Sequence, residues 1–300
     1  MEYIHTLKGH TNSVSSLVCL GNNTLASASW DHTIKIWNIA TGECMQTLSG
    51  HIHYVCSLVY IGNNTLASGS GDNTIKIWDI TTGVCIHTLD GHYCSVNYLV
   101  YLGDNILASG SDDYTIKIWD ITTRVCMQTL NRHSGCISSL VCLGDNRLAS
   151  GSRDKTIKIW DITTGKCIQT INRTRYAHNS IVYLGDNRLV SGSDNGTIKI
   201  WNIATRECIQ TLKGHTRHVF SLAYIDGTRL ASGCSDGTIK IWDTPTTTVP
   251  VAEDVSGVSE GGGAAAATPV VTAASCCSVP SKPDVTGDSS SSSSSSDDET

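Results

Sequence analysis

Three residue types that cooperate in many hydrolases recur along this chain at a fixed spacing. His10, Ser27 and Asp31 are followed by Trp37, and the same residue types return at intervals of 41 residues. In a hydrolytic triad the histidine takes the proton of a serine nucleophile while the aspartate orients the histidine. Here each set is tied to a tryptophan, and no sequence typical of an exposed nucleophile turn accompanies it. We therefore predict buried structural networks, no catalytic residues, no metal or cofactor site, and no enzyme.

The spacing belongs to an internal repeat that covers most of the chain. The stretch Thr-Ile-Lys-Ile-Trp recurs letter for letter in every repeat. Its six copies end at Trp37, Trp78, Trp119, Trp160, Trp201 and Trp242. A fixed period of roughly 20–50 residues is typical of repeat architectures. Within the stretch, apolar and polar residues alternate, and β-branched residues and tryptophan dominate, which predicts a strand.

The first repeat contains four such candidate strands, separated by turn residues. They cover 13–20, 24–29, 33–40 and 43–48, and no stretch shows a helical period. One small antiparallel sheet per repeat cannot bury both of its faces alone, so the copies must stack on one another.

These residues carry a resemblance to a known family. Gly-His, then Leu-Ala-Ser-Gly-Ser, an Asp turn and a strand closing on Trp-Asp resemble the WD repeat of β-propellers, over residues 2–243. In that family the His, Ser, Asp and Trp form a buried hydrogen-bonded tetrad, which fits the cost of burying such groups unpaired. By position, the resemblance assigns tetrads to His10, Ser27, Asp31 and Trp37; His51, Ser68, Asp72 and Trp78; His92, Ser109, Asp113 and Trp119; His133, Ser150, Asp154 and Trp160; and His215, Ser232, Asp236 and Trp242.

The fifth repeat departs from this pattern. Arg173 and Thr174 replace Gly-His, and Asn195 replaces the turn aspartate, so only Ser191 and Trp201 of its tetrad survive. We expect this blade, and the fourth, in which Arg132 replaces the glycine, to be the least well braced.

The predicted fold is all-β: a six-bladed propeller over residues 1–243, with four antiparallel strands in each blade. Residues 2–7 align with 43–48, so the chain begins with a fourth strand and ends with a third. We expect the N-terminal strand to complete the last blade and close the ring, which removes two open sheet edges. A larger assembly is the alternative. Residues 244–300 are rich in serine, alanine and acid, which predicts a disordered tail.

Charge and cysteine usage exclude several classes of protein. The tail contains Lys282 and eight acidic residues, which leaves the body with 20 basic and 19 acidic residues out of 21 and 27. A nearly neutral body argues against direct binding to nucleic acid, and no apolar run is long enough for a membrane helix. Thirteen cysteines without a Cys-x-x-Cys spacing indicate reduced thiols and an intracellular protein, cytoplasmic or nuclear.

Variation between repeats is concentrated in the loops that carry the Gly-His and Asp turns. Trp, Tyr and Arg are common anchors of protein interfaces, although unrestrained loops drift as well. The candidate partner-binding residues on this face are Trp30, Tyr54, Tyr93, Arg132, Arg153, Arg173, Arg175, Tyr176, Arg217 and His218.

We therefore predict a non-enzymatic scaffold that binds other proteins, as a monomeric propeller within larger complexes. The sequence is also similar to the F-box class of WD propellers, in which arginines bind phosphorylated or acidic peptides. That resemblance implies an alternative role as the substrate-recognition subunit of a ubiquitin ligase. We expect no F-box, however, because the first strand starts at residue 2. Scattered, solvated arginines are an equally good explanation of the arginine pattern.

Overall fold

Each repeat folds into one antiparallel sheet, because turn residues interrupt its alternating apolar stretches. The structure, a computed structural model, describes residues 6–171, 177–225 and 227–244. All the regular secondary structure in these ranges is β-strand. In chain order the strands are β1 (Val14–Gly21), β2 (Thr24–Ser29), β3 (Thr33–Asn38), β4 (Cys44–Ser49), β5 (Val55–Gly62), β6 (Thr65–Ser70), β7 (Ile75–Asp79), β8 (Val84–Leu89), β9 (Val96–Gly103), β10 (Ile106–Ser111), β11 (Ile116–Asp120), β12 (Val125–Leu130), β13 (Ile137–Gly144), β14 (Arg147–Ser152), β15 (Ile157–Asp161), β16 (Lys166–Ile171), β17 (His178–Gly185), β18 (Arg188–Ser193), β19 (Ile198–Asn202), β20 (Glu207–Leu212), β21 (Val219–Ile225), β22 (Arg229–Cys234) and β23 (Ile239–Asp243).

We call the six sheets blades 1 to 6 in chain order. Blades 1 to 5 each contain four consecutive strands in the order of the chain, as in β1-β2-β3-β4, whereas blade 6 contains β21-β22-β23. The prediction of an all-β fold built from six antiparallel blades is confirmed. No helix in the described part of the chain is long and apolar enough to cross a membrane.

The hairpin between the first and second strands sets the register of each blade. In blade 1 the chain turns through Asn22 and Asn23, whose φ angles are 47° and 57°. Two consecutive residues with positive φ are typical of a type I′ turn, which matches the twist of the flanking strands. Asn-Asn or Asp-Asn pairs make the same turn in blades 2 to 5. The resulting register places Ala26 opposite Val18 on one side and Ile36 on the other.

Each blade buries one face against the next blade, and we call this contact a joint. Ile34 and Ile36 of β3 pack with Val55 and Leu58 of β5, and Trp78 completes the same cluster. Equivalent clusters join the other consecutive pairs of blades. The first strands of neighbouring blades lie side by side. Because burial of one isoleucine side chain contributes about 1.5–3 kcal/mol, the joints stabilise blades that would not be stable alone.

The two end faces of the array lack such a partner. Ile239 and Ile241 in blade 6 are 77% and 55% exposed, and Val14 and Leu17 in blade 1 are 49% and 43% exposed. Their counterparts in the joints are at most 7% exposed. The first strands of blades 1 and 6 do not pack together as those of consecutive blades do. Within the described residues, the array is therefore open between blade 6 and blade 1.

Two predictions fall mainly outside the described ranges. Residues 2–5 of the predicted closing strand are not among the described residues, and Thr6 and Leu7 do not belong to a strand. Closure of blade 6 by the N-terminal strand therefore stays a prediction. Of the predicted tail, only Thr244 is described, and its amide donates a hydrogen bond to the Thr228 carbonyl at 2.9 Å.

The cysteines of the fourth strands share one structural position. In each, the thiol lies near the backbone carbonyl two residues further on, as between Cys85 and His87 at 3.3 Å and between Cys126 and Gln128 at 3.3 Å. All cysteines in the described ranges are free thiols.

One joint contains a buried ionisable residue. His178 begins β17 and is fully buried between blades 4 and 5, at a position where the other blades have valine or isoleucine. Burial, with a smaller contribution from the positive charge of Lys199, lowers the pKa of His178 from its ordinary value of 6.5 to about 4. The imidazole is therefore neutral in the folded protein and becomes protonated more readily in the unfolded chain.

This shift predicts a loss of stability in mild acid. Because the folded pKa lies below the unfolded one, the free energy of unfolding should fall as the pH drops from about 6.5 to about 4, by about 3 kcal/mol in total. His178→Ile places the residue of the equivalent position in blade 4 and should remove this dependence. Urea unfolding at a series of pH values measures the effect. Equal pH slopes for the two proteins between pH 6.5 and about 4 would contradict the prediction.

Candidate functional site

A chain of hydrogen bonds links the tetrad residues of blade 2. Trp78 Nε1 donates to Ser68 Oγ at 2.8 Å, and Ser68 Oγ lies 2.7 Å from His51 Nε2. His51 Nδ1 lies 2.7 Å from Asp72 Oδ2. The indole is only a donor and the carboxylate only an acceptor, so the serine donates to Nε2 and Nδ1 carries the histidine proton. The arrangement has a single consistent direction, from tryptophan to aspartate.

The other blades repeat this arrangement with two departures. In blades 1, 3 and 4 the Nδ1–Oδ2 distances are 2.8, 2.7 and 2.6 Å. In blade 6 the distance from His215 Nδ1 to Asp236 Oδ2 lengthens to 3.5 Å, and Thr238 Oγ1 lies closer at 3.1 Å. Sequence comparison of the repeats did not indicate this looser sixth tetrad, because all four of its residue types are present.

Blade 5 has a reduced network. Trp201 Nε1 donates to Ser191 Oγ at 2.8 Å, and Asn195 Oδ1 accepts a hydrogen bond from Thr197 Oγ1 at 2.7 Å. Arg173 and Thr174 lie outside the described residues. The ring of His178 lies edge-on to Trp201 with the centroids 6.5 Å apart, close to the 6.0 Å between His51 and Trp78. A histidine among valines and isoleucines at its position is the sequence signal that could have indicated this contact.

The tetrad serines are unsuited to nucleophilic attack. Ser68, Ser109 and Ser150 are fully buried, and each hydroxyl is engaged by a tryptophan and a histidine. A nucleophile needs access to a substrate carbonyl and a neighbouring oxyanion site. The resemblance to a hydrolase triad therefore ends at the residue types.

The tetrad aspartate also positions the loops. Asp113 Oδ1 accepts hydrogen bonds from the amide and hydroxyl of Thr115, at 2.9 and 2.6 Å. Its Oδ2 accepts from His92 Nδ1 and from the backbone amide of Tyr93, at 2.7 and 3.1 Å. Burial raises the pKa of Asp113, but the hydrogen bonds from His92 and Thr115 outweigh burial and hold the pKa well below its ordinary value. One ionised carboxylate thus holds two loops in place, together with the tetrad histidine that begins one of them.

The residues before the turn aspartates, and before Asn195 in blade 5, form one ring of equivalent positions on this loop face. The amide of each donates to a carbonyl of the neighbouring loop, as Trp30 does to Ser13 at 2.9 Å and Arg153 does to Cys136 at 3.0 Å. The six residues of the ring are Trp30, Gly71, Asp112, Arg153, Asp194 and Ser235. Identical backbone positions therefore carry side chains of very different chemistry.

An aromatic cluster covers this face on blades 1 and 2. The rings of Trp30 and Tyr54 lie 5.8 Å apart, those of His53 and Tyr54 4.2 Å apart, and those of His32 and His53 5.7 Å apart. A side chain at Gly71 would meet the Tyr54 ring at 2.6 Å, so this glycine makes room for the cluster. Repeat comparison found Trp30 and Tyr54 but not the two histidines.

A polar cluster occupies the same face on blades 3 to 6. Asn97 donates to Asp112 at 2.6 Å, and Asn179 donates to Asp194 at 2.6 Å. His218, a predicted candidate, lies 3.0 Å from Asp194 through Nδ1. The residues lining a small cavity of about 40 Å³ between these blades are Asn97, Asp112, Cys136, Ile137, Ser138, Arg153, Asn179 and Phe220. In the ring of equivalent positions, Arg153 therefore lies between two carboxylates, Asp112 and Asp194.

Burial and the nearby Asp112 carboxylate raise the pKa of the Cys136 thiol to about 11. The thiol is therefore protonated at neutral pH and is not a reactive thiolate.

The remaining predicted candidates have varied positions. Arg132, Arg153 and Arg217 are exposed on the loop face, and Tyr93 is 85% exposed. Arg173, Arg175 and Tyr176 lie outside the described residues. The structure adds Ile52, which is 83% exposed at the position equivalent to Tyr93.

We predict that the carboxylate of Asp113 cannot be replaced by an amide without cost. In Asp113→Asn, an amide NH₂ would face the donors His92 Nδ1 and Tyr93 N, and an unsatisfied buried group costs about 1–3 kcal/mol. Denaturant unfolding measures the change. The matched control is Asn195→Asp, which restores a carboxylate in a blade that has no tetrad histidine in its sequence. The control should leave the free energy of unfolding nearly unchanged. If Asn195→Asp stabilised the protein by as much as Asp113→Asn destabilises it, the role assigned to the tetrad histidine would be wrong.

Comparisons with known proteins agree with this geometry. The family model described as WD domain, G-beta repeat matches residues 1–38, 42–79, 83–120, 124–161, 165–202 and 206–243. The chain is similar to a solved structure of the computationally designed Ika8 protein, with 36% identity and a TM-score of 0.68, over 78% of this chain and 72% of that chain.

Matches to curated relatives are short. They include the WD repeat-containing protein pop1 of Schizosaccharomyces pombe, 49% identical over 14% of this chain and 5% of that protein. The Ribosome biogenesis protein WDR12 homolog of Drosophila mojavensis is 50% identical over 11% of this chain and 8% of that protein. The Probable E3 ubiquitin ligase complex SCF subunit scon-2 of Neurospora crassa is 54% identical over 14% of this chain and 6% of that protein. The alignments span less than a tenth of each of these relatives. Because the family model instead matches six consecutive segments that cover most of the chain, this protein belongs to the WD domain, G-beta repeat family.

Proposed function

We propose that this protein is a non-enzymatic interaction scaffold that binds partner proteins on its loop face. The observation that carries the proposal is a pair of exposed tyrosines held by one tetrad. Tyr93 and Tyr114 are 85% and 47% exposed, and both belong to the loops of blade 3 that Asp113 fixes. Large aromatic side chains in water are costly unless a partner covers them, and tyrosine is a frequent interface anchor.

The backbone conformation of Tyr114 supports this proposal. Tyr114 has a φ of 70°, in the left-handed region that a bulky residue occupies only with strain. The equivalent residues of blades 5 and 6 are Gly196 and Gly237, which adopt the same conformation without a side chain. The fold therefore needs no tyrosine here, and the exposed ring is better explained by a contact with a partner.

The loops are also suited to binding because the tetrad aspartates hold their backbone amides. The amide of Tyr93 is held by Asp113 at 3.1 Å, and that of Ile52 is held by Asp72 at 3.1 Å. A partner that contacts Tyr93 and Ile52 would not have to order these loops, which lowers the entropic cost of association. The aromatic cluster around Trp30 and Tyr54 extends the same surface across blades 1 and 2.

The chemistry of this surface favours a partner with apolar or aromatic anchors. On the loop face, the exposed apolar and aromatic residues Ile52, Tyr93 and Tyr114 lie on blades 2 and 3. In the polar cluster, Asp112 and Asp194 offset the positive charge of Arg153. We propose an intracellular location as well, in the cytoplasm or nucleus, because the free thiols of the described residues persist in a reducing compartment. Nothing in the near-neutral body favours nucleic acid or a membrane as a partner.

A second candidate is recognition of acidic or phosphorylated peptides as a substrate-recognition subunit of a ubiquitin ligase. It is supported by the exposed residues Arg132, Arg153 and Arg217 on the loop face and by the short similarity to scon-2, which is named as a ligase subunit. Arginine binds phosphate in a bidentate manner.

We predict that the two tyrosines affect binding without supporting the fold. Peptides selected for binding to the full chain from a random display library serve as the ligands. Tyr93→Ser should weaken their binding by about tenfold or more, as for an interface anchor. Tyr114→Gly should also weaken binding, while its free energy of unfolding stays unchanged or rises by up to about 1 kcal/mol because backbone strain is released.

The control is Val125→Ser, which removes an exposed apolar side chain at the opposite end of the same blade. Binding that survives both tyrosine changes, or that is lost equally in the control, would contradict the proposed face. If the selected peptides are acidic or phosphorylated and are lost in Arg153→Glu instead, the second candidate is correct.

A further inference from the structure

Blade 6 carries a cysteine where the other five blades have a serine. Two residues after the tetrad serine, the sequence of blade 6 has Cys234, and the equivalent residues are Ser29, Ser70, Ser111, Ser152 and Ser193. In blade 2 the Ser70 hydroxyl accepts a hydrogen bond from the Asp72 amide at 3.1 Å. The Cys234 thiol takes this position, with its Sγ 3.5 Å from the Asp236 amide. The substitution therefore places a soft ligand atom beside the histidine and aspartate of a tetrad.

The same blade has the longest distance between its tetrad histidine and aspartate. His215 Nδ1 lies 3.5 Å from Asp236 Oδ2, whereas the equivalent distance is 2.6–2.8 Å in blades 1 to 4. Two ligand atoms on a tetrahedral zinc ion, each about 2.0–2.1 Å from the metal, lie about 3.3 Å apart. The distance in blade 6 is therefore long for a hydrogen bond but close to the separation of two zinc ligands.

The cysteine completes a set of three ligands. His215, Cys234 and Asp236 each offer one ligand atom, and these three atoms all lie within 4.8 Å of one another. A nitrogen and a thiolate sulfur on one tetrahedral zinc ion lie about 3.5 Å apart, so a shift of the thiol by roughly 1 Å completes the geometry. The tetrads of blades 1 to 4 offer only a histidine and an aspartate, because serine stands at the third position.

The groups around these ligands orient them. The amide and hydroxyl of Thr238 donate to Asp236 Oδ1 at 3.0 and 2.6 Å. On the far side of the imidazole, His215 Nε2 lies 2.7 Å from Ser232 Oγ. Hydrogen bonds to the far atoms of metal ligands fix the orientation of the ligands and raise metal affinity.

The tetrad also accommodates the tautomer that metal binding requires. A histidine binds a metal through an unprotonated nitrogen, so His215 must carry its proton on Nε2 rather than Nδ1. Nε2 then donates to Ser232 Oγ, which also accepts from Trp242 Nε1 at 2.8 Å. The serine hydroxyl lies 3.4 Å from the Lys240 carbonyl and can donate to it. Each polar group of this tetrad therefore keeps a partner when Nδ1 binds a metal.

We propose that blade 6 binds one zinc ion through His215 Nδ1, Cys234 Sγ and a carboxylate oxygen of Asp236. The thiol releases its proton to water on binding, as a coordinating thiol does. Water fills the fourth tetrahedral position, and the Asp236 side chain is 13% exposed, against 3–8% for the tetrad aspartates of blades 1 to 4. The ion joins the two loops that a short hydrogen bond joins in those blades. The repeat pattern predicted no metal site, because the ligands come from separate loops.

Cobalt absorption on the full chain, after reduction and removal of metals with a chelator, tests the proposal. Co²⁺ occupies zinc sites, and a bound thiolate gives it a charge-transfer band in the near ultraviolet. One equivalent of Co²⁺ should produce this band, and Zn²⁺ should abolish it by displacing the cobalt. Cys234→Ser installs the residue of the other blades, so this variant should fold, lose the band and bind Zn²⁺ at least about tenfold more weakly. Cys126→Ser, which removes another partly buried thiol, is the matched control and should bind as the unmodified chain does.

Two further measurements separate the ligands from the rest of the blade. Asp236→Asn should keep the thiolate band but weaken Zn²⁺ binding in competition with a chelator. One equivalent of Zn²⁺ should raise the thermal unfolding midpoint of the unmodified chain but not that of Cys234→Ser, because only a folded-state site stabilises. The proposal is overturned if no metal binds at one equivalent, if the band survives in Cys234→Ser or is lost equally in Cys126→Ser, if Asp236→Asn leaves Zn²⁺ affinity unchanged, or if Zn²⁺ shifts both midpoints equally.

Discussion

One ionised carboxylate in each complete blade connects the fold to the loop face. In blade 3, Asp113 closes a turn with one oxygen and holds His92 and the amide of Tyr93 with the other. The histidine in turn accepts a hydrogen bond from Ser109, whose hydroxyl also accepts one from the buried Trp119. Because the partners of the carboxylate come from two loops and the tetrad passes through two strands, the carboxylate ties the ends of the sheet to its middle. The surface residues next to it are fixed by the same interactions that stabilise the blade.

This coupling explains how near-identical blades can carry different surfaces. The residue after the turn aspartate, or after Asn195 in blade 5, has a positive φ in every described blade. It is His32, Asn73, Tyr114 or Lys155 in blades 1 to 4 but glycine in blades 5 and 6. The backbone position is set by the carboxylate, so the side chain is free to vary. The fold therefore does not dictate the chemistry at these positions, and the strain at Tyr114 is the physical cost of that freedom.

The strands and their joints follow directly from the sequence, because a period of 41 residues and strict alternation leave few other arrangements. The stacking of Ile34 and Ile36 on the next blade could be predicted for the same reason. Three features could not. The weaker sixth tetrad depends on a distance of 3.5 Å between residues of the expected types. The left-handed conformation of Tyr114 and the stacking of His32 on His53 depend on backbone angles and neighbours that the repeat pattern does not specify.

The repeat architecture itself creates the problem of the ends. A joint is stable because isoleucines of one blade lose contact with water on the next, and an array of identical blades always leaves one such face at each end. A chain can cover these faces by closing on itself, by placing polar residues there, or by pairing them with another chain. Polar residues do not cover them at the described positions Ile239 and Leu17, which are exposed and keep the residue types of an internal joint. Closure by the N-terminal strand, as the sequence predicts, would cover these faces without any change in the chemistry already present in every blade.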